Sequence, residues 1–219
     1  MKGKAMTKQD NSHRALIVID VQNDYDGGNL PIEYPPFGQT VKNIERAMQA
    51  ATDAGIKVIV VKQMAPETSP IFAKGSHGGE LHPTVIDRPR DHYIEKTLPS
   101  AFTRTDLEDW LRNNGITTLT VVGYMTHNCD LSTVIHAAHM GFSVEFLRDA
   151  SGAVPYSNRA GFASAEEIHR VMIVVMQARF AAVVTTEEWL TAISTGTKLQ
   201  VEGILASNQA ARQQQADAA

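Results

Sequence analysis

The chain reads as an α/β protein, a three-layer α/β/α domain on a doubly wound six-stranded parallel sheet of strand order 3-2-1-4-5-6. Three observations predict this. Short β-branched apolar runs alternate with segments of helical spacing along most of the sequence. The runs are continuously apolar, as in strands covered on both faces. The segments between them are long enough to be helical crossovers, which make consecutive strands parallel.

The elements follow in order. Ala15-Leu16-Ile17-Val18-Ile19 is the first strand. Val41 to Ala54 is a helix, with Val41, Ile44, Ala47, Met48 and Ala51 on one side and Gly55 as its stop. Ile56 to Val61 is the second strand, and Tyr93-Ile94-Glu95 a short third. A helix opens at Thr103, the predicted N-cap, and closes at Gly115. Thr117 to Val122 is the fourth strand; a short polar turn follows, and a helix that begins near Cys129 runs to about Met140 and ends at Gly141. Ser143 to Leu147 is the fifth strand. Ser164 to Ala178 is a helix, its Ser164-Ala165-Glu166-Glu167 opening spaced as a capping box. Phe180 to Val184 is the sixth strand, followed by a short helix near Glu187 to Ile193. Two stretches break the rhythm. Met64 to His92 is a long Pro- and Gly-containing connection, either part of a site or a lid, or else a surface excursion or an oligomer contact. Asp149 to Gly161 is a shorter irregular stretch.

At 219 residues the chain supports one sizeable core. The domain is expected over 14–206, between flexible tails at 1–13 and 207–219, the second a frayed helix or disorder. A net charge of −4 gives no reason to expect a nucleic acid or an anionic membrane as partner. No apolar stretch reaches bilayer length, and residues 1–13 lack a secretory apolar segment. A single cysteine cannot form an internal disulfide, so a reducing, cytoplasmic setting is expected.

In doubly wound folds the site lies past the carboxyl ends of the strands, where strand order reverses. Three complementary residues are predicted there. Asp20 follows the first strand, Lys96 the third, and Cys129 the turn after the fourth. A thiol nucleophile needs a base for its proton and gains from a cation nearby. At the start of a helix the thiol is expected to ionise below its ordinary value. Each residue also has a plain structural reading: a loop-capping carboxylate, a solvated lysine, a small buried hydrophobe.

The motifs Ala15-Leu16-Ile17-Val18-Ile19-Asp20-Val21-Gln22-Asn23-Asp24, Glu95-Lys96-Thr97-Leu98-Pro99-Ser100-Ala101-Phe102 and Gly123-Tyr124-Met125-Thr126-His127-Asn128-Cys129 resemble those of the isochorismatase-like, or cysteine, hydrolases. The resemblance spans about Arg14 to Leu190. It implies an Asp20–Lys96–Cys129 triad, an oxyanion hole from the backbone N–H groups of Met125 and Cys129, and a cis peptide at Tyr124–Met125. It implies hydrolysis of a small-molecule C–N bond (amide, ureide or carbamate) through a thioester. Substrate contacts are expected from Tyr25, Leu30, Phe102, Tyr124 and His127, and a homo-oligomer, a dimer or larger, is expected. Two other readings stay open. One is a vinyl-ether hydrolase of the isochorismate type, in which Cys129 is incidental. The other is an idle oligomeric ligand-binding member.

Nicotinamidases of this family hold a metal through an Asp-x-His pair after the second strand. Here Gln63, Met64 and Ala65 stand in that place, leaving only His77 and His82 in the loop. No metal or other cofactor is therefore expected. Asp130 replaces the small apolar residue usual after the family's cysteine, and its charge would oppose a neighbouring thiolate.

Overall fold

In the computed structural model, which describes residues 10–217, sequence alternation becomes a sheet with a core on each side. β1 (Arg14–Ile19), β2 (Lys57–Gln63), β3 (His92–Lys96), β4 (Thr118–Tyr124), β5 (Ser143–Gly152) and β8 (Ala182–Val184) form one parallel sheet. Its order is β3-β2-β1-β4-β5-β8. With the sixth predicted strand realised as β8, this is the expected order. β1 is buried along its whole length. Leu16 and Val18 face a core completed by α1 (Phe37–Ala54) and α6 (Thr186–Thr195), whose Trp189 is fully buried. Ala15, Ile17 and Ile19 face a second core under α3 (Leu107–Asn113), α4 (Leu131–His139) and α5 (Ala165–Arg179). The two-residue period of a strand thus divides one apolar run between two layers.

Several boundaries differ from expectation. α1 starts at Phe37, directly after Pro36, because proline sets a backbone suited to a helix entrance. Thr103 does not cap α3. Residues 101–106 form turns instead, with Thr105 Oγ1 donating to Ala101 O and accepting from the Leu107 N–H. β5 continues to Gly152, so the irregular stretch is shorter than expected. It holds a small antiparallel hairpin, β6 (Tyr156–Asn158) and β7 (Gly161–Ala163). The Ser164–Glu167 capping box forms as predicted. Of the expected N-terminal tail, residues 1–9 lie outside the described residues. Asn11 is buried and donates to Ile193 O, so the body of the fold begins before residue 14. Within the expected C-terminal tail the chain forms α7 (Ile204–Asp217), which buries no residue. No helix among the described residues is long and apolar enough to cross a membrane.

The 64–92 connection is a fixed wall. It contains a single helical turn, α2 (Pro83–Ile86), and lies along the chain that leaves β1. Asn23 N–H donates to Glu80 O, Asp24 N–H to Gly78 O, and His82 N–H to Val21 O. Asp24 accepts from the Phe72 N–H and Gln22 donates to Gly79 O, which tie the loop down from the other side.

Candidate active site

The sheet's reversal point lies between β1 and β4, and Asp20 leaves β1 there. Its φ of 51° is in the left-handed region, which Asp tolerates better than most residues. Gly123 sits beside Ile19 on β4, with φ of 120°. A Cβ there would lie 2.1 Å from Ile19 O, so only glycine lets the end of β4 approach β1 this closely. The turn that follows carries a cis peptide at Tyr124–Met125, as the resemblance implied. Thr126–Asp130 then forms a wide π-type turn that leads into α4 and holds Cys129.

Lys96 ends β3, two strands away from β1, and its side chain crosses the end of β2. Lys96 Nζ lies 2.7 Å from Asp20 Oδ2, 2.6 Å from Gln63 Oε1 and 3.4 Å from Cys129 Sγ. All three ammonium donors are used. The Lys96 and Asp20 side chains are both completely buried. Asp20 Oδ1 has no partner of ordinary hydrogen-bond geometry and is the oxygen left to face the thiol.

Gln63 belongs to this group, although sequence reasoning valued it only as a missing metal ligand. Its Nε2 donates to Met64 O, which turns its carbonyl oxygen toward Lys96. The buried Gln22 accepts from the Gln63 N–H and donates to Gln63 O. A polar side chain ending an apolar strand beside a lysine's register position was the available signal. His82 caps α2, accepting from the Thr84 N–H, and His77 is exposed.

The electrostatics are those of a buried neutral set. Burial pulls the Lys96 ammonium down, but Asp20 and Cys129 more than compensate and hold it above its ordinary value. Burial pushes Asp20 up against the opposing effect of Lys96. Burial, followed by the charge of Asp20, pushes the Cys129 thiol up, and Lys96 only partly offsets them. This runs against the expected lowering: at 5% exposure the loss of water is the largest cause and outweighs the ammonium. These directions favour a cationic Lys96 paired with Asp20 and a neutral thiol. Transfer of the thiol proton to Asp20 leaves the total charge unchanged.

Asp130 is fully buried beside this set, and neither of its oxygens has a partner of ordinary geometry. Burial, then the charge of Asp20, raises its carboxyl well above the ordinary value, while Ser151 opposes weakly. A carboxyl raised in the fold stabilises it below the unfolded value near 3.8. That contribution is lost as pH rises through the folded value. Asp130→Asn keeps the shape and removes the titration. Its stability relative to the wild type is expected to climb as pH rises from about 4 and then level off. Urea midpoints of both proteins across that range measure this, and a pH-independent difference would refute it.

The predicted substrate residues divide. His127 packs edge-on against Tyr156 of the hairpin, with ring centroids 5.0 Å apart. Both its nitrogens are shielded from solvent and unpartnered, and burial lowers its pKa to about 4. Tyr25 is wedged between Phe72 and Tyr124, close enough to Cys129 and Asp20 for their charges to add to the rise that burial gives its phenol. Leu30 is partly buried and packs against the core that contains these rings. The Tyr124 hydroxyl is engaged by Thr40 at 2.6 Å. Phe102 is separate from these. It packs against His136 and Phe142 within the second core, so it is a core aromatic here.

Comparison with known proteins agrees with this fold. The isochorismatase domain matches residues 14–188. A crystal structure of an isochorismatase-type protein from Burkholderia xenovorans LB400 superposes with a TM-score of 0.92 at 62% identity, covering 93% of this chain and 98% of that one. Ureidoacrylate amidohydrolase RutB of Acinetobacter baylyi is 30% identical, with 80% of this chain and 82% of that protein covered. An Arabidopsis thaliana protein described as a "probable inactive nicotinamidase" is 29% identical, with 80% and 93% covered. The sheet order and these matches agree, and the chain belongs to the isochorismatase family of hydrolases.

Proposed function

We propose that the protein is a cysteine-dependent hydrolase of a small-molecule C–N bond in an amide, ureide or carbamate. The observation that carries this is the buried contact set of Lys96 Nζ, 2.7 Å from Asp20 and 3.4 Å from Cys129 Sγ. The curated relatives that act on C–N bonds, such as the amidohydrolase RutB, support it. Asp20 takes the thiol proton, and the sulfur attacks the substrate carbonyl. The N–H groups of Met125 and Cys129 receive the developing oxyanion. The tetrahedral adduct collapses to a thioester as the amine leaves with the proton held by Asp20. A water molecule, deprotonated by Asp20, then splits the thioester to the acid and restores the thiol. Lys96 stays cationic throughout and balances whichever neighbour bears the negative charge. The neutral His127, with two unpartnered nitrogens, offers the substrate one donor and one acceptor.

An ammonia-release screen over small amides, ureides and carbamates, run beside Cys129→Ala, tests the proposal. Turnover that survives loss or alkylation of the thiol would sink it. A second reading, a ligand-binding member without turnover, draws on the raised thiol and the buried Asp130 next to it. Complete inactivity across the panel, with a thiol inert until the chain unfolds, would favour that reading.

Activity is expected to be unchanged by exhaustive EDTA treatment, with nicotinamide a poor substrate. Gln63 is committed to Lys96 and Met64, and His82 caps α2, so the positions from which the family's metal ligands would come are already occupied. Strong nicotinamide turnover, lost on chelation and regained with Zn²⁺, Mn²⁺ or Fe²⁺, would contradict this.

A further inference from the structure

The Thr126–Asp130 turn is held at both ends from outside itself. At its exit, Thr133 Oγ1 donates to Cys129 O at 2.7 Å and accepts from the Ala101 N–H. At its entrance, Thr126 is fully buried, and its hydroxyl meets two partners, Gly152 O at 3.1 Å and His169 Nδ1 at 2.8 Å. His169 reaches in from α5, 43 residues further along the chain, and is itself buried. The Tyr34 ring packs edge-on against the imidazole, with centroids 5.8 Å apart. Burial, the largest influence on it, lowers the His169 pKa to about 4, so the ring is neutral near pH 7. A neutral imidazole carries one donor and one acceptor, and a hydroxyl is both. The contact is therefore a hydrogen bond in either tautomer.

A polar ring at this depth costs stability unless its bonds are made. What this bond secures is the position of Met125. Tyr124, on one side of Met125, pairs with Gly152 in the sheet. Thr126, on the other side, is held by Gly152 and His169. The Met125 carbonyl accepts from the Asn128 and Asp130 N–H groups. Met125 thus lies between two anchored neighbours with its carbonyl turned into the turn, and the direction of its N–H depends on both anchors. An oxyanion donor works only if it sits about 3 Å from the place where charge develops.

We propose that His169 is a positioning residue for the oxyanion hole: by gripping Thr126 it holds the Met125 N–H where negative charge develops. The assignment rests on the reading of the site as a cysteine hydrolase. It places His169 behind the turn, acting through Thr126 and not on the reacting atoms. Because the oxyanion forms only in the transition state, loss of the grip falls on kcat and spares KM.

Three variants test this on an amide that the wild type turns over. His169→Phe keeps a ring beside Tyr34 and removes Nδ1. Thr126→Val removes the hydroxyl at nearly constant volume. His169→Asn keeps a polar atom close to where Nδ1 stands. His169→Phe and Thr126→Val should each lower kcat by roughly 10–100-fold, short of outright loss of an oxyanion donor. KM should stay within about twofold. The double variant should be about as slow as Thr126→Val alone, because both changes break one bond. His169→Asn should recover most of the loss. Alkylation of Cys129 by iodoacetamide uses the same thiol but attacks a saturated carbon, so no oxyanion forms. Its rate should stay within about twofold of the wild type in all variants. A folded His169→Phe with wild-type kcat would overturn the assignment, as would Thr126→Val with wild-type kcat if His169→Phe does not fold. Alkylation that slows in step with kcat would also overturn it, by moving the effect to the thiol. Either result, beside a wild type that hydrolyses amides through Cys129, removes the role of His169 alone. A wild type without turnover, its thiol inert until unfolded, removes the hydrolase reading and this assignment with it.

Discussion

Cys129→Ala is expected to lower kcat/KM by on the order of 10⁴–10⁶-fold on any amide the wild type turns over, as removal of an acyl-transfer nucleophile does. Asp20→Asn is expected to lower it by roughly 10²–10⁴-fold, the range for a general acid–base group. Both variants should keep the native backbone, although Asp20→Asn leaves the buried Lys96 ammonium without its counter-charge and should be less stable than the wild type. The first deletes one sulfur atom. The second places at φ 51° the residue type that tolerates that backbone as well as Asp does, and the amide oxygen still accepts from Lys96. The two losses should not multiply in the double variant, because the base has no thiol proton left to take. Steady-state kinetics on the three variants, matched by circular dichroism, measure this. A Cys129→Ala enzyme with near wild-type kcat would remove the thioester from the mechanism.

The fold was legible because both cores are written into single strands. Ala15 to Ile19 and Ile56 to Val61 are apolar at every position except Lys57, and only a strand covered on both sides accommodates that pattern. The triad was legible because Asp20, Lys96 and Cys129 lie at or just past strand ends inside the three motifs that resemble the family's. The support around them was not. Gln63 matters through an amide orientation set by Met64 O and a backbone held by Gln22, 41 residues away in sequence. The raised thiol was missed because the helix-terminus argument counts nearby charges and neglects depth of burial, which dominates here. Phe102 was read as a pocket residue from its motif. Its ring direction depends on the turns at 101–106, where a helix had been expected.

Lys96→Met is expected to abolish most turnover and to destabilise the protein by about 3–5 kcal/mol at neutral pH, the cost of leaving one member of a buried ion pair alone. Asp20 would keep no cation within reach, with its side chain at 0% exposure. Burial already pushes the Asp20 carboxyl up, and without Lys96 the largest opposing effect is gone, leaving only hydrogen bonding from the Cys129 thiol and the Gln63 backbone. The sign of the pH dependence follows. A carboxyl with a raised folded value contributes stability below the unfolded value near 3.8 and loses it as pH rises. The deficit of Lys96→Met should therefore be large at pH 8 and shrink toward pH 5, where a protonated Asp20 no longer needs a counter-charge. Adding Asp20→Asn removes the stranded charge altogether. The double variant should recover most of the lost stability, flatten the pH dependence and remain inactive, because a neutral amide cannot take the thiol proton. Urea unfolding of the single and double variants at both pH values separates the two roles of the lysine. If the double variant were as unstable as Lys96→Met, the loss would come from packing of the lysine stem, and Asp20 would not be the charge that Lys96 holds in place.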